Sequence, residues 1–411
     1  MRSRTLAGKL MVLPLLAVLA FLLLLSGGRP AHAASITVDT TSDELNADGH
    51  CSLREAIQAA NTDSAVDACA GGSGADTIVV PAGTYTLSIA GAGEDGNATG
   101  DLDITTDLTI NGAGAATTII DGAGLDRVFD IRAGTVEISG LTIQNGNGGI
   151  RSGGTGEYPT VTLTDSAVRN NTGVGIDNNG PMTVMNSTVS GNTGGGIINY
   201  FASLTVVNST VSGNVSESGF AGGISISGFI STILNSTVTN NSGDGIWFFN
   251  PAGLGNTIVA GNTPADCRVS AGPGGHNLDS DGTCKFTGPG DLPNTDPVLV
   301  PLADNGGSTQ THALLAGSPA INAGSGDCPP PHTDQRGVTR PQGPACDIGA
   351  YEASQPVGGI AELSELDGTP LGSGDSSGVS VGRVAGVAGL AAAAVLSLGG
   401  AAWYVRRRWL G

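Results

Sequence analysis

The feature that most constrains this chain is a repeat. Asp165-Ser166-Ala167-Val168, Asn186-Ser187-Thr188-Val189, Asn208-Ser209-Thr210-Val211 and Asn235-Ser236-Thr237-Val238 begin 21, 22 and 27 residues apart. Three residues beyond each Val stands an Asn: Asn171, Asn192, Asn214 and Asn241. Each unit then reaches a Gly-Ile step, at Gly175-Ile176, Gly196-Ile197, Gly223-Ile224 and Gly245-Ile246. A period of this size means stacked units, none of which can bury its apolar face alone.

Apolar residues lie two and four positions before each anchor: Val161 and Leu163, Met182 and Val184, Leu204 and Val206, then Ile233, with Ser231 breaking the pattern. Such alternation is a strand with one buried face. Gly and Asn gather at the corners, where positive φ is tolerated. Stacking then sets Asn over Asn, so that amides can hydrogen-bond along the stack. Leucine-rich spacing is missing, and propeller periods are longer. The fold class expected is all-β, a right-handed parallel β-helix. Weaker coils, such as Leu108-Thr109-Ile110 and Leu141-Thr142-Ile143, extend it to residues 76–265. That gives about eight or nine turns and a stack of about 40 Å at ~4.8 Å per strand.

The flanks carry other signals. Residues 1–33 read as a signal peptide, with Arg2, Arg4 and Lys9, an apolar core, and Ala31-His32-Ala33 for cleavage. An uncleaved anchor is the alternative. Residues 34–75 form an N-terminal cap. In it Ser52 and Glu55 make a capping box that predicts a short helix over residues 53–60. Residues 266–353 form a C-terminal cap and anchor-associated module, and residues 354–383 a Gly/Ser-rich stalk. Residues 384–405 are uncharged and long enough for a C-terminal transmembrane helix. Arg406, Arg407 and Arg408 in the 406–411 tail would keep that end cytoplasmic. All six cysteines fall in the exported part, where an even count suggests disulfides. Neighbour pairing, Cys51 with Cys69 for example, is the simplest of the 15 connectivities.

Cys51-Ser52-Leu53-Arg54-Glu55-Ala56-Ile57 resembles the signature of the bacterial CSLREA-domain proteins. Asp304-Asn305-Gly306-Gly307, Thr311-His312-Ala313-Leu314, Asp334-Gln335-Arg336-Gly337 and Cys346-Asp347-Ile348-Gly349-Ala350-Tyr351-Glu352 resemble a choice-of-anchor module. The resemblance implies a surface protein with pectin-lyase-like β-helix repeats and a membrane or wall anchor. It implies no catalytic activity.

The exported segment holds nine basic residues against 36 acidic ones, a net charge of −27. Nucleic acid is thereby excluded as a partner. Polyanionic sugars would need a bridging metal. An enzyme of this fold would place carboxylates at one repeat position, or calcium beside a basic residue. Asp165, Asp177 and Asp244 share no column, and Arg151 and Arg169 are the basic candidates, so no catalytic residue is assigned. His312 reads as a hydrogen-bonded structural residue of its motif. Asp95-Gly96-Asn97-Ala98-Thr99-Gly100-Asp101 resembles half of a calcium loop, with Asp103 standing in for the missing Glu. The metal candidates are therefore Asp95, Asn97, Asp101 and Asp103, and the candidate ion is calcium. The expectation is a membrane-anchored extracellular β-helix for adhesion or glycan binding. The alternative is a surface polysaccharide lyase or glycoside hydrolase.

Overall fold

The computed structural model describes residues 33–154, 156–216, 219–228, 230–250, 252–269, 272 and 274–354. The signal peptide, the stalk and the apolar run 384–405 lie outside these residues, apart from the last signal-peptide residue and the first of the stalk. Among the described residues no helix is long and apolar enough to cross a membrane.

Short parallel strands stack into three sheets of 10, 9 and 8 strands. The chain visits them in turn, so eight coils carry all three. One such coil is Met182–Met185, Thr188–Ser190 and Ile197–Asn199. Pairing is in register from coil to coil, and each interior position becomes a column. In the first sheet Ile78, Ile110, Ile138, Leu163, Val184, Val206, Ile233 and Leu254 stack, each at most 1% exposed. In the second, Ile120, Ile143, Val168, Val189, Val211, Val238 and Val259 stack in the same way. These columns bury one face of each sheet against the other two.

Each residue of the repeated tetrad has its own task. The first is left-handed, with φ of 50, 51, 47 and 50° at Asp165, Asn186, Asn208 and Asn235. Asp and Asn tolerate this conformation, which turns the chain from the first sheet to the second. The second, Ser166, Ser187, Ser209 and Ser236, is wholly buried. Each of the last three Ser hydroxyls accepts the backbone N–H of the Ser one coil before, at 3.2 Å. The third, Ala167 or a Thr, is on the outward side of the strand, and the fourth, always Val, enters the core. The Asn three residues on forms a ladder inside the next corner. Asn192 Oδ1, Asn214 Oδ1, Asn241 Oδ1 and Asn262 Oδ1 each take both the backbone N–H and the Nδ2 of the Asn one coil before, at 2.9–3.1 Å. Asn262 closes the ladder on Asp266. The corner anchors do not join this interior ladder. Asn208 and Asn235 instead reach outward to the carbonyls of Thr333 and Pro329.

Helix α1 (Leu53–Thr62) sits at the N-terminal end with the capping box of Ser52 and Glu55 complete. Its Arg54 is buried and forked onto Asp43, at 2.6 and 3.2 Å. The same guanidinium donates to the carbonyls of Gly100 and Asp101, which fixes the loop before strand Leu102–Ile104. The three disulfides join Cys51 to Cys69, Cys267 to Cys284 and Cys328 to Cys346. Replacing Cys51 and Cys69 by Ala is expected to cost about 3 kcal/mol of cap stability, the loop-closure contribution for a ring of this size. Urea unfolding of the double variant checks the magnitude, and peptide mapping of the unreduced parent checks the pairing.

The segment after the last coil runs back over the second sheet's outer face. Thr188 donates to the Gln310 carbonyl and Thr210 to the Gln335 side chain, at 2.6 and 2.7 Å. Thr237 accepts from the Ala350 N–H. Outward Ile258 and Ala260 pack with Leu314, Ala320 and Ile348 in a second small core.

Candidate functional site

The third sheet's outer face carries the chain's chemistry. Its outward column, read along the register, is Asp103, Asp130, Arg151, Asp177, Ile198, Ser225, Trp247 and Arg268. Buried residues flank the outward one, Leu102 and Ile104 or Phe129 and Ile131 in the first strands and Ile with Ser or Asn in the next three, so the pleat that buries Phe129 and Ile131 puts Asp130 on the other face. Three carboxylates therefore share one column with an arginine between two of them. This corrects the expectation that no carboxylates of the coils are aligned. That expectation considered only Asp165, Asp177 and Asp244, and the partners of Asp177 lie in earlier, irregular coils.

At the N-terminal end of this face the carboxylates crowd. Asp95, Asp103 and Asp130 each place an oxygen within 4.8 Å of the other two. Arg127 Nη1 donates to Asp101 Oδ2 and Asp130 Oδ2 at 2.9 and 3.1 Å. Arg132 Nη1 reaches Asp95 Oδ1 at 2.5 Å and Asp130 Oδ2 at 3.3 Å. Burial, then the neighbouring Asp103 charge, pushes Asp101 up to about 7, against the pull of Arg127. Burial likewise pushes Asp103 up to about 6, although the Asn97 N–H opposes it. Both carboxyls are therefore costly to ionise as they stand.

Of the four metal candidates read from the sequence, the structure brings Asp95 and Asp103 together and adds Asp130. Asn97 is buried behind them, donating its N–H to Asp103 Oδ2 and its Nδ2 to the Arg54 carbonyl. Asp101 faces Arg127. Of the four, only Asp95 and Asp103 thus stand in the three-carboxylate cluster. Asp130 had no signal in that motif: it comes from the next coil, 27 residues after Asp103.

A pocket of about 210 Å³ follows along the face, lined by Asp126, Arg127, Gly148, Arg151, Val174 and Asp177. Burial raises the Asp177 pKa, and Arg151 opposes the shift. Beyond it lies an aromatic group that the sequence did not reveal. Tyr200 meets Phe220 edge-on at 5.8 Å, Phe220 meets Trp247 at 6.4 Å, and Trp247 stacks on Phe249 at 4.2 Å. The Arg268 guanidinium lies over the Trp247 ring, 3.9 Å from its centre. Phe201 and Ile230, at the corner after the sheet, are 72 and 83% exposed. No local pattern marks these aromatics as neighbours, since Phe220 belongs to a corner loop of irregular length.

A larger groove of about 840 Å³ runs between the second sheet and residues 296–302. It has hydroxyls from Ser190, Ser212 and Thr239 on one wall and Leu299 and Pro301 on the other. His312 is the imidazole at its edge. Its Nδ1 is bonded to the Val300 carbonyl and its Nε2 to Ser212, at 2.7 and 2.8 Å. Both nitrogens are committed, as a structural histidine requires, so His312 is not a free base in this groove. The tail motif is likewise occupied with packing. Arg336 forks onto Asp334 and lies over Tyr351, while Arg340 bonds Glu352 and two carbonyls.

Comparison with known families agrees with this architecture. The family described as "Right handed beta helix region" matches residues 105–287. This chain is a right-handed parallel β-helix. No curated protein matches the chain. Among solved structures, that of pectate lyase Pel9A is similar at 16% identity, with a TM-score of 0.45, over 78% of this chain and 97% of that one. A protein of Geobacillus virus E2, ORF18, is similar at 13% identity and a TM-score of 0.29, over 52% of this β-helix chain and 50% of its own.

Proposed function

We propose that this β-helix is an extracellular, membrane-tethered protein that binds glycans, in adhesion or surface recognition, on the outer face of its third sheet. The observation that carries the reading is the aromatic group of Tyr200, Phe220, Trp247 and Phe249, partly exposed beside Arg268 and Asp244. Aromatic rings offer large, rigid apolar area to the C–H faces of a sugar, and flanking charged groups satisfy its hydroxyls. An eight-strand face of about 35 Å is long enough for several sugar units. A net charge of −27 over the exported segment selects neutral or cationic glycans, or acidic ones through a metal. The cellular address rests on the signal-like start, the CSLREA and choice-of-anchor resemblance, and the apolar run 384–405. The disulfides support an oxidising compartment.

A glycan array with the purified full chain tests the reading. Trp247→Ala is expected to weaken the best ligand at least about tenfold, the loss typical of truncating a binding hot spot. Its melting temperature should stay near the parent's, because the ring lies outside the coil. Unchanged binding by Trp247→Ala would remove the aromatic face from the proposal. A second reading, a polysaccharide lyase or hydrolase, is favoured by Arg151 standing between Asp130 and Asp177 over the 210 Å³ pocket. New reducing ends appearing from any array ligand would establish it.

A further inference from the structure

The third sheet's acidic end has an unfinished polar arrangement. Five carboxylates, of Asp95, Asp101, Asp103, Asp126 and Asp130, gather there around two guanidinium groups, of Arg127 and Arg132. Four side-chain oxygens at this place are sealed from solvent without any hydrogen bond: Asn97 Oδ1, Asp101 Oδ1, Asp103 Oδ1 and Asp130 Oδ1. Asp103 and Asp130 are 0 and 1% exposed. The other oxygen of each is already engaged, that of Asp103 by the Asn97 N–H and that of Asp130 by both arginines. Buried oxygens left in this way demand a partner. Arginine does not supply it, since both guanidiniums lie on the far oxygens. A proton could serve one carboxyl, but it would leave the remaining oxygens still unmatched.

From this geometry we infer a site for a hard divalent cation of the calcium type, held by Asp95, Asp103 and Asp130. The donors are all oxygen, they come from a loop and two strands, and they converge within 4.8 Å. Calcium accepts such irregular, oxygen-only sets, whereas magnesium demands near-octahedral geometry. The three ligands belong to three separate stretches. Asp95 lies in the loop between strands Gly83–Thr86 and Leu102–Ile104, and the other two on adjacent strands of the third sheet. A bound cation therefore pins that loop onto the first coils. Arg54 of α1 holds the same loop through the Gly100 and Asp101 carbonyls. The site completes the junction between cap and coil, and it stands whether or not the sheet binds a glycan.

Calorimetric titration of the chelator-treated full chain with calcium tests this. Binding is expected with a Kd on the order of 10⁻⁴ to 10⁻³ M, the range of extracellular modules. Calcium should also raise the melting temperature and slow proteolysis within residues 89–100. Asp103→Asn should lose at least about tenfold in affinity. Because Asp103 is buried, Asp95→Asn is made alongside it. The Asp95 side chain is 63% exposed, so this variant should fold, and it should lose affinity comparably. Glu137→Gln, on the exposed face of the first sheet, removes one charge elsewhere and should bind like the parent. Absence of binding to the parent overturns the site. So does parent-like affinity in both Asp95→Asn and Asp103→Asn, and so does equal affinity for magnesium.

Discussion

Val206→Asp is expected to unfold the middle of the solenoid, while Thr205→Asp leaves it close to the parent. Val206 is 0% exposed and sits in the first-sheet column between Val184 and Ile233. A carboxylate there has no cation and no free donor within the packed column. Its effective desolvation penalty is several kcal/mol, roughly the whole stability margin of an ordinary domain. Thr205 pairs with Thr183 and Thr232 on the opposite face of the same strand. Substitution there should stay within about 0.5 kcal/mol. Thermal unfolding followed by circular dichroism compares the two directly. Equal losses would place the strand one residue out of register.

Asn214→Leu is expected to be the second most damaging change, at about 3–6 kcal/mol, because each orphaned buried polar group costs about 1–3 kcal/mol. The Asn214 amide serves four groups in its ladder. Its oxygen accepts the N–H and Nδ2 of Asn192, and its Nδ2 donates to Asn241 Oδ1 and the Val189 carbonyl. Leu fills a similar volume but satisfies none of them. The damage should also spread to the coil on each side, since the Asn192 N–H loses its acceptor. Asn214→Asp keeps the acceptor and should cost less than Leu. Hydrogen exchange at the Asn192 amide provides a local check: it should become fast in the Leu variant and remain slow in the parent.

The coils that can be read in the sequence are those that carry the same tetrad. Val168, Val189, Val211 and Val238 close it in each, 21, 22 and 27 residues apart, and meet in register, so the interior columns and the Asn ladder follow from the repeat. Ser52 and Glu55 announce α1 for the same reason, being three residues apart. The acidic column is hidden because Asp103, Asp130 and Arg151 lie in coils without the repeated tetrad, so no local anchor marks their register with Asp177. The calcium-loop pattern found two of the three clustered carboxylates, Asp95 and Asp103, but local spacing could not reach Asp130. Trp247 and Phe220 are invisible as a pair because a side-chain contact across a corner leaves no period. The return of the C-terminal segment is equally hidden. The Gln310 carbonyl meets Thr188 from 122 residues away.

That return changes what kind of object the solenoid is. A bare stack behaves as a one-dimensional array in which each coil feels only its two neighbours, and in which melting can begin anywhere and spread. Here a single strap ties Thr188, Thr210 and Thr237, which lie in three successive coils, to Gln310, Gln335 and Ala350. Loss of any one coil in this stretch must also release contacts of the others. The strapped coils therefore open together as one cooperative block. The earlier coils, from Asp76 to Ser152, lack these bonds and retain the looser, neighbour-by-neighbour behaviour of a repeat array.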